Sequence, residues 1–186
     1  MSGEVSLMPS SSQQEPRLSP AAARFCGFAD GVNHWVGRVV GASVIVVSAM
    51  VIYEVGLRLL FGRSTTWSNE AMIYLSAMTY LLAGGYALMH HAHVRIDIIY
   101  ATLSPRVQVW LDVITFVFFL IYTGTLIYIG GLMAWDSLLQ HETTGSPWDP
   151  PIWPVKFTIM FAGILLLLQG VANLMRKVAG VEHPAP

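Results

Sequence analysis

Four long apolar runs divide the chain, and their lengths decide its class. Val39–Leu57 covers nineteen residues interrupted only by Glu54, while Ala71–Met89 and Phe157–Met175 each run nineteen residues without a charge. Val113–Trp135 runs twenty-three. At ~1.5 Å per residue, nineteen helical residues reach about 28 Å, close to the ~30 Å hydrocarbon core of a bilayer. Helices of a soluble bundle would each carry a polar face. Membrane β-strands would alternate over about ten residues. These runs do neither, so the pattern predicts an all-α integral membrane protein with four transmembrane helices. The expected spans are about 37–58, 67–90, 107–135 and 155–176, within a four-helix membrane domain over 34–178.

The polar stretches fall between and outside the runs. Met1–Pro20 is rich in Ser, Pro and Gln and buries too little to offset the entropy of ordering. Residues 1–33 are therefore expected to be a disordered or interfacial tail, and 179–186 a short C-terminal one. Between the second and third runs lies His90–Asp97, HHAHVRID, the most polar segment inside the membrane domain. Ile96, Ile99, Tyr100 and Leu103 follow a helical stripe, which predicts a short amphipathic element in the inner interface, ended by Ser104-Pro105.

Composition sharpens this picture. Charged residues make up 11% of the chain, against about 25% in an ordinary soluble domain, and mean hydropathy is +0.57. A net charge of −1 without a lysine or arginine cluster gives nucleic acid nothing to bind. The single cysteine, Cys26, reads as a small apolar filler.

The distribution of cations sets the expected orientation. Four spans put Arg17, Arg24, Arg38, Arg95, Arg106, Arg176 and Lys177 on one side, and Arg58, Arg63 and Lys156 on the other. Both termini are thus expected in the cytoplasm. The loop 136–155 has three acids and no base, as suits an outer loop. All six tryptophans sit near run ends: Trp35 and Trp110 on the inner side, Trp67, Trp135, Trp148 and Trp153 on the outer. That is the belt expected of amphipathic rings at headgroup depth.

Few residues offer chemistry. Glu54 is the one acid inside a run and is costly there. Arg58, four residues on, lies on the same helical face, so a structural ion pair near the outer interface is expected. A contact with a second membrane subunit is the other reading of Glu54. Glu70 follows Trp67-Ser68-Asn69, where Ser68 or Asn69 could cap the second helix and an acid in the first turn would suit its dipole. His90, His91, His93, Arg95 and Asp97 do not make a metal site, since no second ligand cluster lies on that side. Small-residue pairs such as Gly37 and Gly41, Gly84 and Gly85, Gly130 and Gly131, and Gly163 and Gly170 mark expected helix contacts. No nucleophile–base pair, phosphate loop or paired carboxylates are present, so no enzyme and no cofactor are expected.

These segments resemble a known family. WSNEAM at 67–72, Gly84-Gly85, HAHVRIDIIY at 91–100 and HETTGSPWDPPIWPVKF at 141–157 followed by GILLLLQG are similar to the small membrane subunit, DctQ type, of tripartite ATP-independent periplasmic (TRAP) transporters. The resemblance covers roughly Val36 to Lys177, and its most specific part is Trp67 and Glu70 combined with His93, Arg95 and Asp97. It implies a bacterial inner-membrane subunit with two partners. One is a large membrane subunit, which carries the solute and sodium by an elevator-like motion. The other is a periplasmic solute-binding protein that delivers a solute, usually an organic acid. The small subunit would brace the large one and help dock the binding protein, with ion-driven symport performed by the assembly. On this reading Glu54, Arg58, Trp67, Glu70 and Trp148 belong to the outer side, His93, Arg95 and Asp97 fix the inner loop, and none binds substrate. The alternative is a haem-binding membrane anchor of an oxidoreductase, against which no histidine falls inside any run.

Overall fold

The computed structural model describes residues 18–90 and 104–179. They form four helices: α1 (Pro20–Phe61), α2 (Thr66–Met89), α3 (Pro105–Leu139) and α4 (Trp153–Val178). All four are long and apolar enough to cross a membrane, which makes this a multi-pass membrane protein. The α1–α2 and α3–α4 loops share one end of the bundle, here called the loop end. The start of α1 and the end of α4 lie at the other, the terminal end. Among the described residues there is no strand, only an isolated bridge between Thr143 and Pro151.

The helix boundaries follow local chemistry. Ser19 caps α1 by accepting a hydrogen bond from the Ala22 N–H at 3.3 Å, and Pro20 stands at the first helical position, where its missing donor costs nothing. At the far end Gly62 adopts φ +61°, and its N–H donates to the Arg58 carbonyl at 3.1 Å. This left-handed cap suits glycine. α3 also begins on a proline, Pro105, after Ser104.

α1 departs from expectation. It has 42 residues, a length of about 63 Å and twice the hydrocarbon thickness. It starts at Pro20, so residues 20–33, read above as tail, are its first turns. The apolar run stops at Arg38, yet the helix continues back through Asn33 and Asp30, whose side chains both have partners on α4. The amphipathic element expected after α2 lies outside the described residues.

α4 is the central helix. It packs on α3, α2 and α1; α1 also packs along α2, and α3 has α4 as its main neighbour. Glycines set the closest approaches. A Cβ at Gly130 would come within 3.0 Å of the Met160 backbone nitrogen, and one at Gly163 within 3.2 Å of that of Ile127. In lipid, such close packing is what draws helices together. The outward faces of α1 and α3 stay apolar and open, with Ile52 and Leu59 on α1 and Phe118 and Tyr128 on α3 largely exposed.

Candidate functional site

Two polar constellations stand out, one at each end of the bundle. At the loop end, Glu54 is 3% exposed and fully engaged. Arg58 Nε donates to it at 3.1 Å, as the i,i+4 spacing predicts. Ser64 Oγ donates at 2.7 Å and Thr65 Oγ1 at 2.6 Å, and the Thr65 N–H adds a bond at 3.2 Å. The carboxylate therefore does more than pair with its own helix. It folds residues 62–65 back onto α1 and fixes where α2 begins.

The capping role expected near Glu70 is not observed. α2 starts at Thr66 with Thr65 as its N-cap, and there is no acid in the first turn. Ser68 is completely buried instead, and Glu70, beyond the first turn, reaches across to the α3–α4 loop. Its Oε2 accepts from Ser146 Oγ at 2.7 Å and more weakly from Thr144 Oγ1 at 3.4 Å. Ser146 Oγ in turn accepts from the Asp149 N–H at 3.0 Å, and Asp149 Oδ1 accepts from the Gly145 N–H at 2.9 Å. Loop 140–152 is closed on itself as well. The Ile152 N–H donates to the Glu142 carbonyl at 3.0 Å, and Lys156 pairs with the Glu142 carboxylate. The ammonium of Lys156 holds the Glu142 carboxyl below its ordinary value.

On this braced surface Trp148 and Trp67 are each nearly half exposed. Asp149 and His141 adopt positive φ of +53° and +49°, an uncommon conformation for residues with side chains. Glu54, Arg58, Trp67, Glu70 and Trp148 thus share the loop end. The structure joins Glu54 to Arg58, and separately Glu70 to the loop that carries Trp148. His93, Arg95 and Asp97 lie outside the described residues.

At the terminal end is a network that run-based reading missed. Asn33 on α1 and Gln169 on α4 are both 0% exposed. Asn33 Nδ2 donates to Gln169 Oε1 at 2.9 Å, and Gln169 Nε2 donates to Asp30 Oδ1 at 3.0 Å. Arg176 closes the network with a two-pronged pairing to Asp30, Nη1 reaching Oδ1 at 3.1 Å and Nη2 bonding Oδ2. Asn173 Nδ2 donates at 3.2 Å to the Leu88 carbonyl near the end of α2. Gly85 makes room for Asn33, whose Oδ1 would lie 2.2 Å from a Cβ there. Nearby, Cys26 is buried against Ala172. The available signal was the spacing Gln169, Asn173, Arg176, which places three polar side chains on one helical face.

Among the described residues no group of three or more His, Cys, Asp or Glu could hold a metal. Among the described residues the carboxylates of Glu54, Glu70 and Glu142 are engaged in holding the two loops. A family model described as "Tripartite ATP-independent periplasmic transporters, DctQ component" matches residues 47–180. No curated protein and no solved structure matches the chain significantly.

Proposed function

The chain belongs to the DctQ component family of tripartite ATP-independent periplasmic transporters, and on that premise we propose that this small membrane subunit braces the large membrane subunit of such a transporter. It sits in a bacterial inner membrane with both termini cytoplasmic, so the loop end faces the periplasm. There it offers part of the surface on which the solute-binding protein docks during ion-driven uptake of an organic acid. Glu54, Arg58 and Glu70 hold that surface rigid, Trp67 and Trp148 present it, and His93, Arg95 and Asp97 fix the inner loop. Family membership argues against the haem-anchor alternative.

The observation that carries this reading is the pinning of both loops at one end. The 62–65 loop is tied to Glu54 and the 140–152 loop to Glu70, so little ordering entropy remains to be lost on docking. No helix is broken in mid-span among the described residues, whereas secondary transporters build substrate sites from interrupted helices. The open apolar faces of α1 and α3 supply area for the large subunit.

The test is purification and reconstitution. A tagged chain extracted in mild detergent should bring down a much larger membrane protein, and vesicles holding both, supplied with the binding protein, should accumulate solute. Trp148→Ala with Glu70→Ala should weaken capture of the binding protein while leaving the membrane complex intact. Transport by this chain alone, or a membrane complex that docks the binding protein equally well with both changes, would overturn the reading.

A further inference from the structure

At the terminal end the seam between α1 and α2 gathers groups that the bracing role leaves unused. Arg38 Nη2 donates to His34 Nε2 at 3.0 Å. Tyr86 of α2 lays its ring on Gly37, where a Cβ would be 2.1 Å from Tyr86 Cδ2. That ring lies 6.3 Å from His34 and 4.3 Å from His90, centroid to centroid. His90 is fixed through Nδ1, 3.2 Å from the Tyr86 carbonyl. Two imidazoles and a guanidinium are thus held around one tyrosine, and His34, Arg38 and His90 are all exposed.

Among the described residues no carboxylate pairs with Arg38. Arg176 and Lys177 at the same end each pair with a carboxylate, Asp30 and Asp112. Among the described residues Arg38 has only a ring nitrogen. A guanidinium has five N–H donors in a planar fork, so most of its capacity is unspent. Depth gives the second clue. Arg38 stands twenty residues before Arg58, about 30 Å along the helix and one hydrocarbon thickness from the loop-end cluster. Trp35, 66% exposed, lies just beyond it, where aromatic belts meet the headgroups.

We propose that Arg38, His34, Tyr86 and His90 form a binding site for the phosphate of an anionic phospholipid at the α1–α2 seam. The guanidinium fork meets phosphate oxygens in charge-assisted hydrogen bonds. The cluster lies at the depth where a lipid presents its phosphate, which selects a lipid over the free ion. A zwitterionic lipid fits less well, since its ammonium finds no described carboxylate paired with the cluster. The site depends on the helices crossing the membrane, not on the transporter reading.

Native mass spectrometry of the full-length chain with its membrane partner, equilibrated with equal phosphatidylglycerol and phosphatidylcholine, reads the preference directly. The unaltered chain should retain phosphatidylglycerol preferentially. Arg38→Gln should cut that preference about fivefold, the equivalent of ~1 kcal/mol for one cation near an anionic surface. Arg38→Lys should keep most of it, which separates lost charge from lost fold, and Arg63→Gln at the loop end should change nothing. An unaltered preference in Arg38→Gln, or none in the unaltered chain, overturns the proposal. So does displacement of the lipid by millimolar inorganic phosphate, which would assign the site to the free ion. Loss of the large subunit in Arg38→Gln with lipid preference intact would assign it to a protein contact and overturn it equally.

Discussion

The two ends of this bundle use polar residues for opposite purposes. At the loop end the buried and half-buried acids hold loops: Glu54 and Glu70 reach out of their helices to 62–65 and to Ser146, and Glu142, in the α3–α4 loop, ties that loop to the start of α4 through Lys156. At the terminal end, Asp30, Asn33, Gln169 and Arg176 reach sideways and join α1 to α4. The first arrangement shapes a surface; the second fixes a helix pair. Removing a residue should therefore have different consequences at the two ends. Loss at the terminal end should cost global stability, and loss at the loop end should cost local order and docking.

The largest expected effect is at the Asp30–Arg176 pair. Arg176 is 9% and Asp30 27% exposed at the side chain, so Asp30→Ala takes a two-pronged carboxylate partner from a guanidinium with little access to water. Unfolding in detergent should become easier by about 3 kcal/mol, the low end of the cost of leaving a buried charge without its partner. Arg176→Met added to Asp30→Ala should recover part of that loss, because the buried charge is removed along with its carboxylate. A double variant no more stable than Asp30→Ala would mean that the pair is not what joins the helices.

Gln169→Leu is the milder cut. It removes the bonds to Asn33, Asp30 and Asn173, but Asn33 keeps its bond to the Ala29 carbonyl at 3.0 Å, and Asp30 keeps Arg176. A loss of ~1 kcal/mol is expected, typical of a hydrogen bond between helices in a membrane. The same detergent unfolding measures it. A loss equal to that of Asp30→Ala would show that Gln169, rather than the ion pair, is the keystone of the contact.

The same contrast explains what could be read in advance. Four spans were legible because run length alone measures a bilayer. Glu54 and Arg58 were legible because their partner lies four residues along the same helix. The start of α1 was not legible from run length, which stops at the first charge, although Ser19-Pro20 is a helix-start signature in its own right. The link between Asp30 and Gln169 spans 139 residues. No local pattern reports which two helices will face each other. Glu70 was misread for a related reason. Its capping role rested on where α2 starts, and the carboxylate of Glu54 sets that start from another helix.

The smallest effect belongs to Glu142, and its sign can be worked out. Lys156 beside it lowers its pKa in the folded protein from the ordinary glutamate value of 4.5. A depressed carboxyl contributes stability that is fully present above the unfolded value and disappears as the pH falls through the folded one. Order in loop 140–152 should thus be level from neutral pH down to about 4.5 and decline only below it. Hydrogen exchange at the Ile152 and Thr144 amides, which donate to the Glu142 and Pro150 carbonyls, reads this order after correction for the intrinsic rate. Glu70 and Asp149 lie in the same cluster, so the variant decides the origin. Glu142→Gln should remove the acid-dependent part while Glu70 keeps its hold on Ser146. If Glu142→Gln leaves the decline unchanged, the loop does not owe its acid-dependent order to the Glu142–Lys156 pair.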